Sequence, residues 1–110
     1  MPLENITTEV SRRVQELLGG SLRNIILFGS YARGDYDDGS DIDIMVLADV
    51  SEEDIFKIER EINWACDDLS LDNNIMICIL LNNKTLFEKR MPISPFYRNV
   101  LNDGVQIYAS

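Results

Sequence analysis

At 110 residues, with 45% hydrophobic and 26% charged side chains, the chain is sized for a single domain, residues 1–110, with a real core, which excludes a wholly disordered or collagen-like polypeptide. Ten Lys and Arg against nineteen Asp and Glu leave a net charge of −9, so direct binding to nucleic-acid phosphates is not expected. No apolar run reaches the length of a membrane span and no signal-peptide pattern opens the chain, so a cytoplasmic protein without a membrane partner is expected.

From Glu4 to Leu18, apolar residues recur at Ile6, Val10, Val14 and Leu17 or Leu18, the spacing of one helix face, and Gly19-Gly20 ends the run. Ile25 to Phe28 is a short β-branched stretch closed by Gly29, the mark of a buried strand. A loop rich in Gly, Asp and Ser leads to Ser40, and Ile42, Ile44, Val46 and Leu47 form a second strand. Ser51 before Glu52-Glu53-Asp54 has the pattern of an N-cap with an acidic first turn. Ile55, Ile58, Ile62, Ala65 and Leu69 continue that helix with one apolar stripe. Ile75 to Leu81, apolar at nearly every position, predicts a central strand covered on both sides. Thr85 to Arg90 is a short helix, Ser94-Pro95 caps another running to Asn102, and Val105 to Tyr108 is a closing edge strand. The alternation predicts an α/β (α+β) fold, a small mixed sheet with helices packed on it.

Histidine is absent, which removes Ser-His and Cys-His nucleophile pairs and most zinc sites. Cys66 beside the apolar stripe and Cys78 in the apolar strand are expected as small core residues, not a disulfide framework. Trp64 lies nine residues from Ile55, half a turn off that stripe at about 100° per residue, so it is expected to be exposed. It either packs under a neighbouring segment or anchors a partner protein.

Chemistry therefore falls to carboxylates, and their placement is uneven. Residues 35–56 hold nine acids and no Lys or Arg, a local charge of −9 that equals the whole net charge. Like charges so crowded need open solvent or a cation. Within this region Gly29 and Gly34 have the glycine spacing of a P-loop, but Asp35-Tyr36 stand where that loop needs Lys and Ser/Thr. Asp35, Asp37 and Gly39 open like a calcium EF-hand, yet the glycine comes one place early and Val46 stands at the closing Glu position.

What survives is a strand, Gly29-Ser30, ten residues, and Asp41-x-Asp43. Gly29 allows close backbone approach to a ligand, and Ser30 adds a hydroxyl beside amides suited to phosphate oxygens. Asp41 and Asp43 project together from one strand face and can hold one or two Mg²⁺. Arg33 is the nearby cation for phosphate or ribose oxygens. Asp35, Asp37 and Asp38 are expected as loop acids.

This segment, with Ala32-Arg33-Gly34 between its parts, resembles the nucleotidyltransferase superfamily that includes DNA polymerase beta, and most closely its minimal nucleotidyltransferases. Ser94-Pro95-Phe96-Tyr97 and Gly104-Val105 resemble the tail of these small proteins, so the likeness covers nearly the whole chain. It implies the nucleotidyltransferase fold, a nucleoside triphosphate substrate such as ATP with Mg²⁺, and transfer of a nucleoside monophosphate to an acceptor hydroxyl. It implies catalytic and metal roles for Asp41 and Asp43, and nucleotide contacts from Gly29, Ser30 and Arg33. It also implies work beside a HEPN-type toxin as its antitoxin, in some members by adding AMP to a toxin tyrosine, hence a hetero-oligomer or a homo-oligomer. The superfamily usually has a third carboxylate on a later strand. Here Ile75 to Leu81 has none; Met76 stands at the expected position and Asp72, at the strand entrance, is the nearest acid. A binding module that neutralises its partner by occlusion is the alternative.

Overall fold

The computed structural model describes residues 2–110. Helix α1 (Leu3–Leu18) leads into strand β1 (Leu22–Phe28), and a single helical turn α2 (Ser30–Arg33) precedes strand β2 (Ile42–Ala48). Helix α3 (Ile55–Asn73) crosses to strand β3 (Ile77–Asn83); helices α4 (Lys84–Arg90) and α5 (Pro95–Asp103) and strand β4 (Val105–Ala109) complete the chain. Among the described residues no helix is long and apolar enough to cross a membrane.

One mixed sheet of four strands, ordered β3-β2-β1-β4, organises these elements. β1 pairs antiparallel with β2 and with β4, while β2 pairs parallel with β3 through the α3 crossover. Alternation sends Ile25, Leu27, Ile42, Ile44, Val46, Ile77 and Ile79 to one face, where they meet Ile6, Val10 and Val14 of α1 and Ile62, Cys66 and Leu69 of α3. On the other face Ile26, Met45 and Leu47 pack with Phe87 of α4 and Val100 of α5. Helices thus cover both faces, which agrees with the mixed sheet expected from the sequence.

Three local expectations are corrected. The apolar run Ile75 to Leu81 is not a central strand: β3 begins at Ile77 and lies at the edge of the sheet. Its residues alternate in burial, and Cys78 is exposed, whereas Cys66 is buried. The run looks uniform because Cys78 and Leu80 are apolar without being covered by a helix along their whole face. Ser51 does not cap α3; Glu52–Asp54 form a 3₁₀ turn, the Ser51 hydroxyl donates to the Asp54 carboxylate at 3.0 Å, and α3 starts at Ile55. By contrast, Ser94 does cap α5, its hydroxyl accepting from the Tyr97 N–H at 3.3 Å with Pro95 in the first turn.

The outer edge of β3 is closed by side chains of α3. Asn63 accepts from the Ile79 N–H at 3.3 Å and donates to the Ile79 carbonyl at 2.9 Å, and Glu59 accepts from the Leu81 N–H at 2.9 Å. These bonds satisfy backbone groups that an edge strand otherwise leaves open.

Candidate active site

The Gly-Ser turn and the two acids meet at one end of the sheet. β1 ends at Phe28, and Gly29 takes φ 75°, a left-handed conformation that favours glycine, to swing the chain into α2. The Gly29 carbonyl accepts from the N–H groups of Ala32 and Arg33, both at 3.1 Å, so Ser30 begins a turn of helix. Phe28 is paired with Asp43 across the β1–β2 ladder, which sets the turn directly beside the second acid. The fit is close: a Cβ added to Gly29 would stand 2.5 Å from Asp43 Oδ2.

Asp41 precedes β2 and Asp43 is its second residue, two apart on one side of an extended chain. Ile42 and Ile44, between and after them, are wholly buried on the opposite side. Asp41 is exposed and Asp43 half-buried. Burial, and then the charge of Asp41, push the Asp43 carboxyl above the usual carboxylate range; the Arg33 guanidinium works against both. Two neighbouring carboxylates, with Arg33 engaged by Asp35, form a site that a divalent ion relieves. Hard oxygen donors suit Mg²⁺, which commonly takes one or two carboxylates together with phosphate oxygens. The donor set therefore fits the metal expected from the sequence, with two protein ligands; among the described residues no group of three or more His, Cys, Asp or Glu is arranged to hold one.

The remaining predicted residues divide. Arg33 lines a cleft of about 180 Å³ with Phe28, Gly29, Phe96, Asn99 and Asp103, and its Nε donates to Asp35 Oδ2 at 3.1 Å. Asp37 shapes the loop, its Oδ1 accepting from the Gly39 N–H at 2.9 Å, as expected of a loop acid. Asp72 is exposed in the last turn of α3 and lines a depression with Leu3, Ile6, Tyr31 and Ile42, on the α1–α3 side of the sheet. The residue paired with Asp43 on β3 is Cys78, and the Met76 carbonyl accepts from the Ile42 N–H at 2.9 Å, placing Met76 beside Asp41. Although Cys78 is exposed, partial desolvation by its neighbours and then Asp43 and Asp41 push its thiol up, an electrostatic trace of that neighbourhood.

The match to a family agrees with this geometry: the family model described as "Nucleotidyltransferase domain" covers residues 7–106. The chain belongs to the nucleotidyltransferase family. It is 39% identical over 89 residues to "Putative protein adenylyltransferase MJ0604" of Methanocaldococcus jannaschii, covering 81% of each chain. A second protein of that organism, with the same description and the designation MJ0141, is 34% identical over 107 residues, covering 97% of this chain and all of the relative. Among solved structures, a "toxin-antitoxin with AMP-PNP" superposes with a TM-score of 0.58 at 21% identity, covering 99% of this chain and 75% of that one. A "putative nucleotidyltransferase" from Sulfolobus solfataricus gives a TM-score of 0.58 at 22% identity, covering 97% and 80%. These two likenesses are of fold.

In this member of the nucleotidyltransferase family, sequence reasoning missed the contribution of α5. Phe96, Asn99, Val100 and Asp103 follow a spacing of one helix side, which was readable; that this side closes the cleft over Gly29 was not. Phe96 meets Phe28 edge to face, with ring centroids 5.7 Å apart, and so ties α5 to the end of β1. Phe96 also lines a second groove of about 500 Å³ with Phe56, Glu59, Leu80, Leu86 and Tyr97.

Proposed function

We propose that this nucleotidyltransferase uses ATP to place AMP on an acceptor hydroxyl, with the described chain acting as one catalytic domain in the cytoplasm. The observation that carries the reading is the closeness of the Gly29 turn to Asp43, which supports a role for the turn's backbone in holding phosphate beside the acid pair. Gly29 and Ser30 hold the triphosphate, the first by its close backbone, the second by its hydroxyl. Arg33, at the cleft, meets phosphate or ribose oxygens. Asp41 and Asp43 would hold Mg²⁺, which when bound neutralises phosphate charge and orients the displacement. The acceptor oxygen forms a bond to the α-phosphorus as the bond to the β-phosphate bridging oxygen breaks, and pyrophosphate departs. The acceptor's proton is released to solvent, since β3 offers Cys78 and Leu80 where a carboxylate base would stand.

The favoured acceptor is a tyrosine of a HEPN-type toxin, for which this chain would serve as antitoxin. Support comes from the resemblance of the motif and from relatives described as protein adenylyltransferases. Calorimetry should find Mg²⁺-dependent ATP binding that disappears in the Asp41→Asn, Asp43→Asn double variant; equal binding by that variant sinks the reading. Intact mass of the toxin, purified with and without this chain, should then increase by one AMP.

The absence of an acid from the site face of β3 favours a second reading, a nucleotide-binding antitoxin that acts by occlusion alone. It expects ATP binding and neutralisation without any mass increase on the toxin.

A further inference from the structure

α3 has a side that neither core cluster uses. Ile62, Cys66 and Leu69 turn one side inward, and Arg13 of α1 holds the flank through the Asp68 carboxylate and, at 2.7 Å, the Ala65 carbonyl. On the outer side Phe56, Trp64 and Leu71 are exposed at 80%, 74% and 81%. At about 100° per residue all three fall within an arc of about 80°, with Arg60 and Asp67 between them on the same stripe. Exposed apolar patches of this kind mark interaction surfaces on globular proteins.

The order of residues along the stripe favours one occupant. Arg60 and Asp67 are both exposed, and neither forms an ion pair among the described residues. The position numbers of Phe56 and Leu71, of Arg60 and Asp67, and of Asn63 and Trp64 each sum to 127. An antiparallel copy of α3, turned about the point between 63 and 64, therefore sets Phe56 on Leu71 and Arg60 on Asp67 at both ends. It brings the two Trp64 rings beside the axis. Such self-complementarity is what a twofold contact requires, and an unrelated partner would impose no such symmetry.

We infer that this face of α3 is a homodimer interface, closed by Phe56, Trp64 and Leu71 and held in register by reciprocal Arg60–Asp67 pairs. The stripe is about 22 Å long and one helix wide, smaller than the roughly 800 Å² per partner of a standard interface, so the dimer forms in the micromolar range or more weakly. Phe56, Trp64 and Leu71 do not line the cleft of Gly29 and Arg33, and the inference holds whether or not the site transfers AMP.

Trp64 is the sole tryptophan, so its emission reports this face alone. Across roughly 1–500 µM protein, sedimentation velocity should show dimer forming while Trp64 emission shifts to the blue. Arg60→Asp and Asp67→Arg should each weaken association on the order of tenfold, because each puts like charges face to face at both ends. The double variant R60D/D67R should regain most of it. Circular dichroism checks that these exposed substitutions leave the fold intact. A monomer with constant emission throughout, single reversals that associate like the parent, or a double reversal as weak as the singles would each overturn the inference.

Discussion

Gly29 and Asp43 are so close that no side chain fits between them: a Cβ on residue 29 would reach within 2.5 Å of Asp43 Oδ2. Gly29→Ala must rotate the Asp43 carboxylate away and also hold alanine at a φ near 75°. The expected result is loss of Mg²⁺-dependent ATP binding together with a stability loss of about 1–3 kcal/mol in urea. Calorimetry and equilibrium unfolding read the two effects separately. Retained binding would mean that the contact does not govern the orientation of Asp43.

Cys78 faces Asp43 across the parallel pair of β2 and β3, the one place on β3 where an acid would look straight at the second aspartate. Cys78→Asp should raise AMP transfer by on the order of 100-fold, the low end for a positioned proton acceptor. Because Cys78 is exposed, the substitution leaves the core untouched. Radiolabel transfer from ATP measures the gain; a variant no faster than the parent argues that missing acidity is not what limits this site.

Asn63 stands guard over the open side of β3 by bonding both the N–H and the carbonyl of Ile79. Asn63→Leu leaves those groups unpaired at a sheet edge. It should cost about 1–3 kcal/mol of stability. It should also promote strand-to-strand self-association. Light scattering under mild heating, compared with the parent, should show earlier aggregation, and identical curves would refute the protective role.

The contact of α1 with α3 through Arg13 predicts a pH dependence with a definite sign. Hydrogen bonds from Arg12 and then Arg13 hold the Glu9 carboxyl down from 4.5 to about 2, and Arg13 also lowers Asp68. With depressed values in the folded state, both acids contribute stability above the ordinary carboxylate range and lose it as pH falls through the folded value. Thermal unfolding should therefore become easier between pH 4.5 and 2, the window set by Glu9. Arg13→Gln should lower the melting temperature at neutral pH and flatten the acid slope. A variant with the parent's slope would show that acid sensitivity arises elsewhere. Arg12 and Asp68 are exposed and Glu9 and Arg13 only half-buried, so salt should diminish the effect.

Periodicity was a good guide where one face of an element is buried. Ile6, Val10 and Val14 mark α1, and Ile42 and Ile44 alternate with Asp41 and Asp43 at the start of β2, so both the helix and the projection of the acids could be read directly. It failed for β3, because an apolar residue looks alike whether it meets a helix or stands free. Ile77 and Ile79 are buried while Cys78 between them is exposed, and the unbroken apolar run concealed that difference. Gly29 was legible because the turn after β1 needs a residue at positive φ with no Cβ, whereas Ser30, Asp41 and Asp43 were legible as candidates from their spacing and chemistry. The wall formed by Phe96, Asn99 and Asp103 was not, since it depends on where α5 docks, a long-range outcome fixed by Val100 entering the cluster of Ile26, Met45 and Leu47.

Leu22–Ala48 forms a hairpin that carries the Gly-Ser turn and both aspartates, whereas β4 reaches β1 only after the rest of the chain has been laid down. On the ribosome, every residue proposed to touch the triphosphate or its metal is synthesised before α3 begins. The later elements then seat the hairpin and border its cleft. Inherited changes in the C-terminal half can thus reshape what approaches the site while leaving the proposed chemistry within one short stretch of sequence, residues 29–43.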